Sequence, residues 1–139
     1  MSNLPERVVA TEAAVALLAK LSAAHGGLMI HQSGGCCDGS APMCYPVGEY
    51  RVGQRDVLLG AIALPEPHPA VRVWIGGDQF ELWKHTQLIL DVVPGRGAGF
   101  SLEAPEGVRL LSRARAFTTD ENAALDAVPP LTGSAVSPG

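Results

Sequence analysis

Three thiols, Cys36, Cys37 and Cys44, fall within one glycine-rich segment running from Ser33 to Tyr45, which also carries Gly34, Gly35 and Gly39. Thiolates are soft ligands for zinc, iron and copper, so this density of cysteine on a loop is a candidate metal site. A further donor is expected from His31, just upstream, with Asp38, His85 or a second subunit as alternatives. The expected site is therefore Cys36, Cys37, Cys44 and His31, holding zinc, iron or an iron–sulfur cluster. Neighbouring side chains in an extended chain point to opposite sides, so Cys36 and Cys37 share one ion only where a glycine lets the backbone turn sharply. Loss of Cys36 or Cys44 is thus expected to weaken binding more than loss of Cys37. The competing reading is structural: cysteine packs as a small buried hydrophobe, and a histidine at a strand end can bond a backbone carbonyl.

The remaining chemistry-bearing residues point away from catalysis. A nucleophilic cysteine needs a base or a positive charge beside it, and His31 and His85 are the local candidates, with no arrangement that sequence alone places in space. A binding role is accordingly expected rather than an enzyme. Gly95-Arg96-Gly97-Ala98-Gly99 is rich in glycine but lacks the Lys-Ser/Thr pair of a phosphate loop and lies between strands. Glu103 and Glu106 read as surface charges flanking a turn, Asp38 as a turn residue and His68 as a solvated one. Trp74 and Trp83 read as core or interface aromatics on neighbouring strands.

The elements that must position the loop can be read from periodicity. Thr11 and Glu12 open an apolar run with helical spacing through Leu17, Leu18 and Leu21, which predicts a helix from about Thr11 to Ala24, closed by His25 and Gly26. Leu28 to Ile30 has strand length and feeds the cysteine loop. Beyond the loop, short segments separated by Gly and Pro predict strands over Glu49–Val52, Val57–Leu64, Val71–Ile75, Glu81–Trp83, Gln87–Val93, Gly99–Glu103 and Val108–Ser112. Gly76-Gly77-Asp78 is expected to be a hairpin turn. A short helix is expected near Thr119 to Asp126. The fold class is therefore α+β, one N-terminal helix packed on a β-rich domain over residues 1–126, with residues 127–139 a frayed, flexible tail.

Composition limits the partners. With 139 residues, 47% of them hydrophobic and 17% charged, the chain is long enough to close one core and too apolar to remain disordered. A formal net charge of −4 and the lack of a Lys/Arg cluster remove the electrostatic attraction that dominates nucleic-acid binding. No apolar stretch approaches the ~20 residues that span a bilayer, and Met1 to Arg7 lacks the apolar core of a secretory signal. A cytoplasmic setting, where thiols stay reduced, is expected, and an odd cysteine count fits it better than a disulfide framework.

The segments HQSGGCCDGSAPMCY, from His31 to Tyr45, and ELWKHTQLILDVVPGRGAGFSLEAPEG, from Glu81 to Gly107, resemble the uncharacterised domain-of-unknown-function family 779. Members of that family often lie near aldehyde dehydrogenase genes, so the resemblance implies an accessory role in aldehyde metabolism and an aldehyde dehydrogenase as partner. A second resemblance is to the A-type (HesB-like) iron–sulfur carriers, which have a TEAA-like helix start, a Gly-Gly-Cys loop and a GSGF-like segment before an Asn-Pro turn. Thr11-Glu12-Ala13-Ala14, Gly34-Gly35-Cys36, Gly97-Ala98-Gly99-Phe100 and Ala104-Pro105 stand in similar places here. That resemblance implies a carrier-like fold, and a metal-binding protein of this kind is expected to be a homo-oligomer, a dimer. The carriers' later Cys-Gly-Cys pair is replaced by Ser112-Arg113-Ala114-Arg115-Ala116, so their ligands carry over only at Cys36. Two functions follow: a metal- or iron–sulfur-binding accessory protein, or a metal-free module that docks on an aldehyde dehydrogenase and regulates it.

Overall fold

The computed structural model describes residues 5–32, 42–48, 52–95 and 101–133. Helix α1 (Glu12–His25) forms where the sequence places it. Thr11 is its N-cap, its hydroxyl accepting from Ala14 N–H at 3.2 Å, and the Gly26 N–H closes the last turn on Ser22 O at 2.8 Å. The buried positions Ala14, Leu18, Leu21 and Ser22 recur at three- and four-residue spacing, so one stripe faces the protein.

That stripe packs against two mixed sheets. In the first, β1 (Val8–Ala10) pairs parallel to β6 (Thr86–Pro94), which pairs antiparallel to β7 (Val108–Ala116). In the second, the order is β3 (Met43–Pro46), β2 (Leu28–Gln32), β5 (Val71–Ile75), β4 (Val57–Ile62), with β2 and β5 parallel and both outer pairs antiparallel. The main core lies between them: Leu18 and Leu21 from the helix, Leu28, Ile30, Val73 and Ile75 from one sheet, Leu88, Leu90 and Leu110 from the other. Each such side chain contributes about 1.5–3 kcal/mol of burial, which outweighs the weak propensity of strands as short as β1. Beyond the sheets, α3 (Thr119–Asp126) begins in a reciprocal capping box between Thr118 and Glu121. The α+β expectation, a helix on β-rich layers, matches this architecture.

Four local expectations need correction. Glu81–Trp83 is the last turn of α2 (Gly77–Trp83), and Gly76-Gly77-Asp78 opens that helix instead of turning a hairpin. The cause is tertiary: a Cβ on Gly77 would lie 2.6 Å from Arg55 O, so only glycine lets this turn seat against the neighbouring backbone while Trp83 is buried. Second, β1 and β3 were too short to be read from alternation and exist through pairing with β6 and β2. Third, Ser101 to Glu103 is a turn leading into a 3₁₀ helix, Ala104–Glu106, not strand; Gly99 and Phe100 lie outside the described residues, as do residues 49–51 of the expected strand Glu49–Val52. Fourth, part of the expected tail is paired: Thr132 bridges Val57, Leu58 N–H donates to Leu131 O at 2.9 Å, and Gly133 N–H donates to Asp56 O at 2.8 Å, while residues 134–139 lie outside the described residues.

Candidate functional site

Strand β2 is the scaffold of the site, because its last residues, His31 and Gln32, lead directly into the cysteine-bearing segment. All five of its residues are buried, as expected of a strand paired on both sides. Alternation then sorts its neighbours onto two faces. Ile30, paired with Cys44 and Val73, faces α1 and the main core. His31, paired with Met43 and Trp74, faces the other way, toward the smaller cluster of Met29, Val52 and Trp74 with Tyr45 and Leu58.

On the outer face, the His31 side chain is 3% exposed and its Nε2 lies 3.1 Å from Asp56 Oδ2. Asp56 is itself held by a tight turn: its Oδ2 accepts from Gly53 N–H at 2.8 Å and its own N–H donates to Gly53 O at 3.1 Å. A carboxylate beside one imidazole nitrogen is the arrangement that orients metal-ligating histidines. A cleft of about 180 Å³ lies on the same sheet face, with Met29, Arg72, Trp74, Val47 and Pro69 among its walls.

On the inner face sits Cys44, wholly buried, its thiol pushed up to about 12 by burial and, secondarily, by the nearby Glu103 carboxylate. Such a thiol is neutral and unreactive at physiological pH. Around it is a set of buried polar groups. Cys44 N–H donates to Ser101 Oγ at 2.8 Å, the Ser101 hydroxyl donates to Glu103 Oε1, Leu110 N–H donates to Glu103 Oε2 at 3.3 Å, and Leu102 N–H donates to Cys44 O at 3.0 Å. Nearby in the same layer, Ser112 Oγ donates to Gln32 Oε1 at 2.7 Å, both side chains fully buried. Glu103, read from sequence as a surface charge, is thus a core carboxylate that ties the segment after Phe100 to the edge of β3 and to β7. Its direct partners are Ser101, two residues before it, and Leu110, seven residues after it, and no apolar periodicity marks it as buried.

The structure therefore separates two of the four expected ligands. Cys44 and His31 occupy opposite faces of one sheet. Cys36, Cys37 and Asp38, together with Gly34, Gly35 and Gly39, lie outside the described residues, and so do Arg96 to Gly99. His85 is elsewhere, its Nδ1 3.1 Å from Asn122 Oδ1 at the surface beside α3. Trp74 is in the outer cluster, whereas Trp83 belongs to α2 and the main core. Among the described residues, no three His, Cys, Asp or Glu side chains gather as a metal cage, and no helix is long and apolar enough to cross a membrane. Missing from the sequence reading was Asp56, 25 positions from His31 and brought beside it only by the β4–β5–β2 order.

Residues 17–116 match the model of a protein family described as Domain of unknown function (DUF779). No curated protein and no solved structure matches the chain significantly.

Proposed function

The chain belongs to the DUF779 family, and for this member we propose a metal- or iron–sulfur-binding accessory function, with Cys36 and Cys37 supplying thiolates and His31 the scaffold-borne ligand. The observation that carries the reading is the His31–Asp56 pair: an imidazole 3% exposed, 3.1 Å from a carboxylate, on the strand that leads into the Gly-Gly-Cys-Cys segment. Carboxylate–histidine pairs hold a ligating ring in one orientation. Cys44, assigned to the ligand set on sequence grounds, serves the core in this proposal, because its thiol is neutral and on the opposite face. Zinc in the site would supply a structural clamp; an iron–sulfur cluster would supply one-electron chemistry or cargo for transfer. The carrier-like arrangement, a homodimer that completes the ligand set, and a reducing cytoplasmic setting belong to the same proposal.

The test is metal and labile-sulfide analysis of protein purified without oxygen. About one equivalent of zinc or iron per chain or per dimer is expected, lost in His31→Ala that keeps its circular dichroism. Less than about a tenth of an equivalent, with no uptake on reconstitution, overturns the reading.

The family resemblance supports a second reading, a metal-free module that docks on an aldehyde dehydrogenase and regulates it. Co-purification with that enzyme that survives replacement of all three cysteines separates this reading from the first.

A further inference from the structure

We infer that residues Leu131 to Gly133 form a strap that positions the His31–Asp56 pair, so that the chain's C-terminal segment sets the geometry of the candidate site. The path is continuous. Gly133 N–H donates to Asp56 O at 2.8 Å, Thr132 bridges Val57, and Leu131 O accepts from Leu58 N–H at 2.9 Å, so the segment runs beside the start of β4 through one isolated bridge and two backbone bonds. It also presses on the turn that holds the carboxylate. A Cβ on Gly133 would lie 1.9 Å from Gly53 O and 3.1 Å from Val52 Cγ1, and Gly53 is the residue whose N–H holds Asp56 Oδ2 at 2.8 Å. Asp56 Oδ2 in turn meets His31 Nε2 at 3.1 Å. Any residue larger than glycine at 133 must move the Gly53 carbonyl or lift the segment away, and either change reaches the imidazole through Gly53 and Asp56.

Leu131 and the nearby Val128 are more than half exposed, and backbone bonds join residues 131–133 to the start of β4 and the turn before it.

Gly133→Ala in the full chain tests the inference, read by the imidazole nitrogen and proton resonances of His31. The expected result is a shift in the same direction as that produced by Asp56→Asn, while Leu131→Ser, which keeps the backbone bond and alters an exposed side chain, leaves the resonances in place. Unchanged His31 resonances in folded Gly133→Ala overturn the strap. Should Gly133→Ala fail to fold, amide exchange in the unaltered protein decides: protected Gly133 and Leu58 amides support the strap, and free exchange of the Gly133 amide overturns it. The functional consequence rests on the metal-site reading, for which Gly133→Ala is expected to weaken zinc binding about tenfold and to add nothing on top of Asp56→Asn. A protein that takes up no zinc removes the metal reading, and the His31 resonances then still decide the strap.

Discussion

Replacing Cys44 separates the core from the loop. The side chain is wholly buried within the cluster that includes Ile30, Val73 and Leu110. Cys44→Ala removes one sulfur. The transfer loss resembles that of one buried methylene, ~0.8 kcal/mol. The void left, about the size of one water or ~30 Å³, adds roughly 0.7 kcal/mol at ~24 cal/mol per Å³. A loss near 1.5 kcal/mol in urea unfolding is expected, with m unchanged and metal content retained. A thiol pushed up from 9.0 to about 12 also carries roughly 1,000-fold less thiolate at a given pH below 9 than an ordinary cysteine. Iodoacetamide at pH 8 should therefore spare Cys44 in the native protein and modify it on unfolding. The sign of the pH effect follows: the unfolded thiol ionises near 9 and the folded one near 12, so Cys44's contribution is complete below pH 9 and is lost as pH rises from 9 toward 12. A Cys44→Ala protein that is as stable as wild type but has lost its metal would refute the reasoning and return Cys44 to the ligand set.

Ser112→Ala removes the 2.7 Å bond to Gln32 between two fully buried side chains and should cost about 1–3 kcal/mol in chemical unfolding, with Gln32→Leu in the same chain recovering part of it; a cost below about 0.3 kcal/mol would mean that this bond does not join the layers. At the other end of β7, Arg115 bonding and the Thr118 cap hold the Glu121 carboxyl down to about 2 from 4.5, so its contribution to docking α3 is complete above pH 4.5 and lost as pH falls toward 2; carboxyl NMR titration of Glu121 checks this, and an ordinary midpoint near 4.5 contradicts the pairing.

Much of the frame was legible in the order of residues. The Thr11 cap and the apolar spacing after it specify α1 because capping and amphipathic burial are local, repeating at three and four positions. Val71–Ile75 is rich in β-branched residues and forms a strand where that signal places it, and the short helix expected near Thr119 to Asp126 is α3. The loop thiols were visible for the same reason, since residue type and spacing are properties of the chain alone.

What the chain does not carry in any local window is which face a residue takes and what lies across from it. Cys44 and His31 look like neighbours around one loop, yet the antiparallel register of β3 against β2 pairs Cys44 with Ile30 and sends His31 to the opposite face. Gly76-Gly77-Asp78 looks like a hairpin turn until Arg55 O is seen within reach of Gly77. Glu103 looks like surface charge, but the fold supplies Ser101 Oγ and Leu110 N–H as donors deep in the core. The Asp56 partner of His31 comes from the turn just before β4, and the Gly133 strap behind it from a segment remote from both in sequence. Sequence alone determined the composition of the candidate site and the elements that bear it; tertiary pairing decided its membership, because side-chain facing alternates with every residue and contact partners are set by strand order, not by distance along the chain.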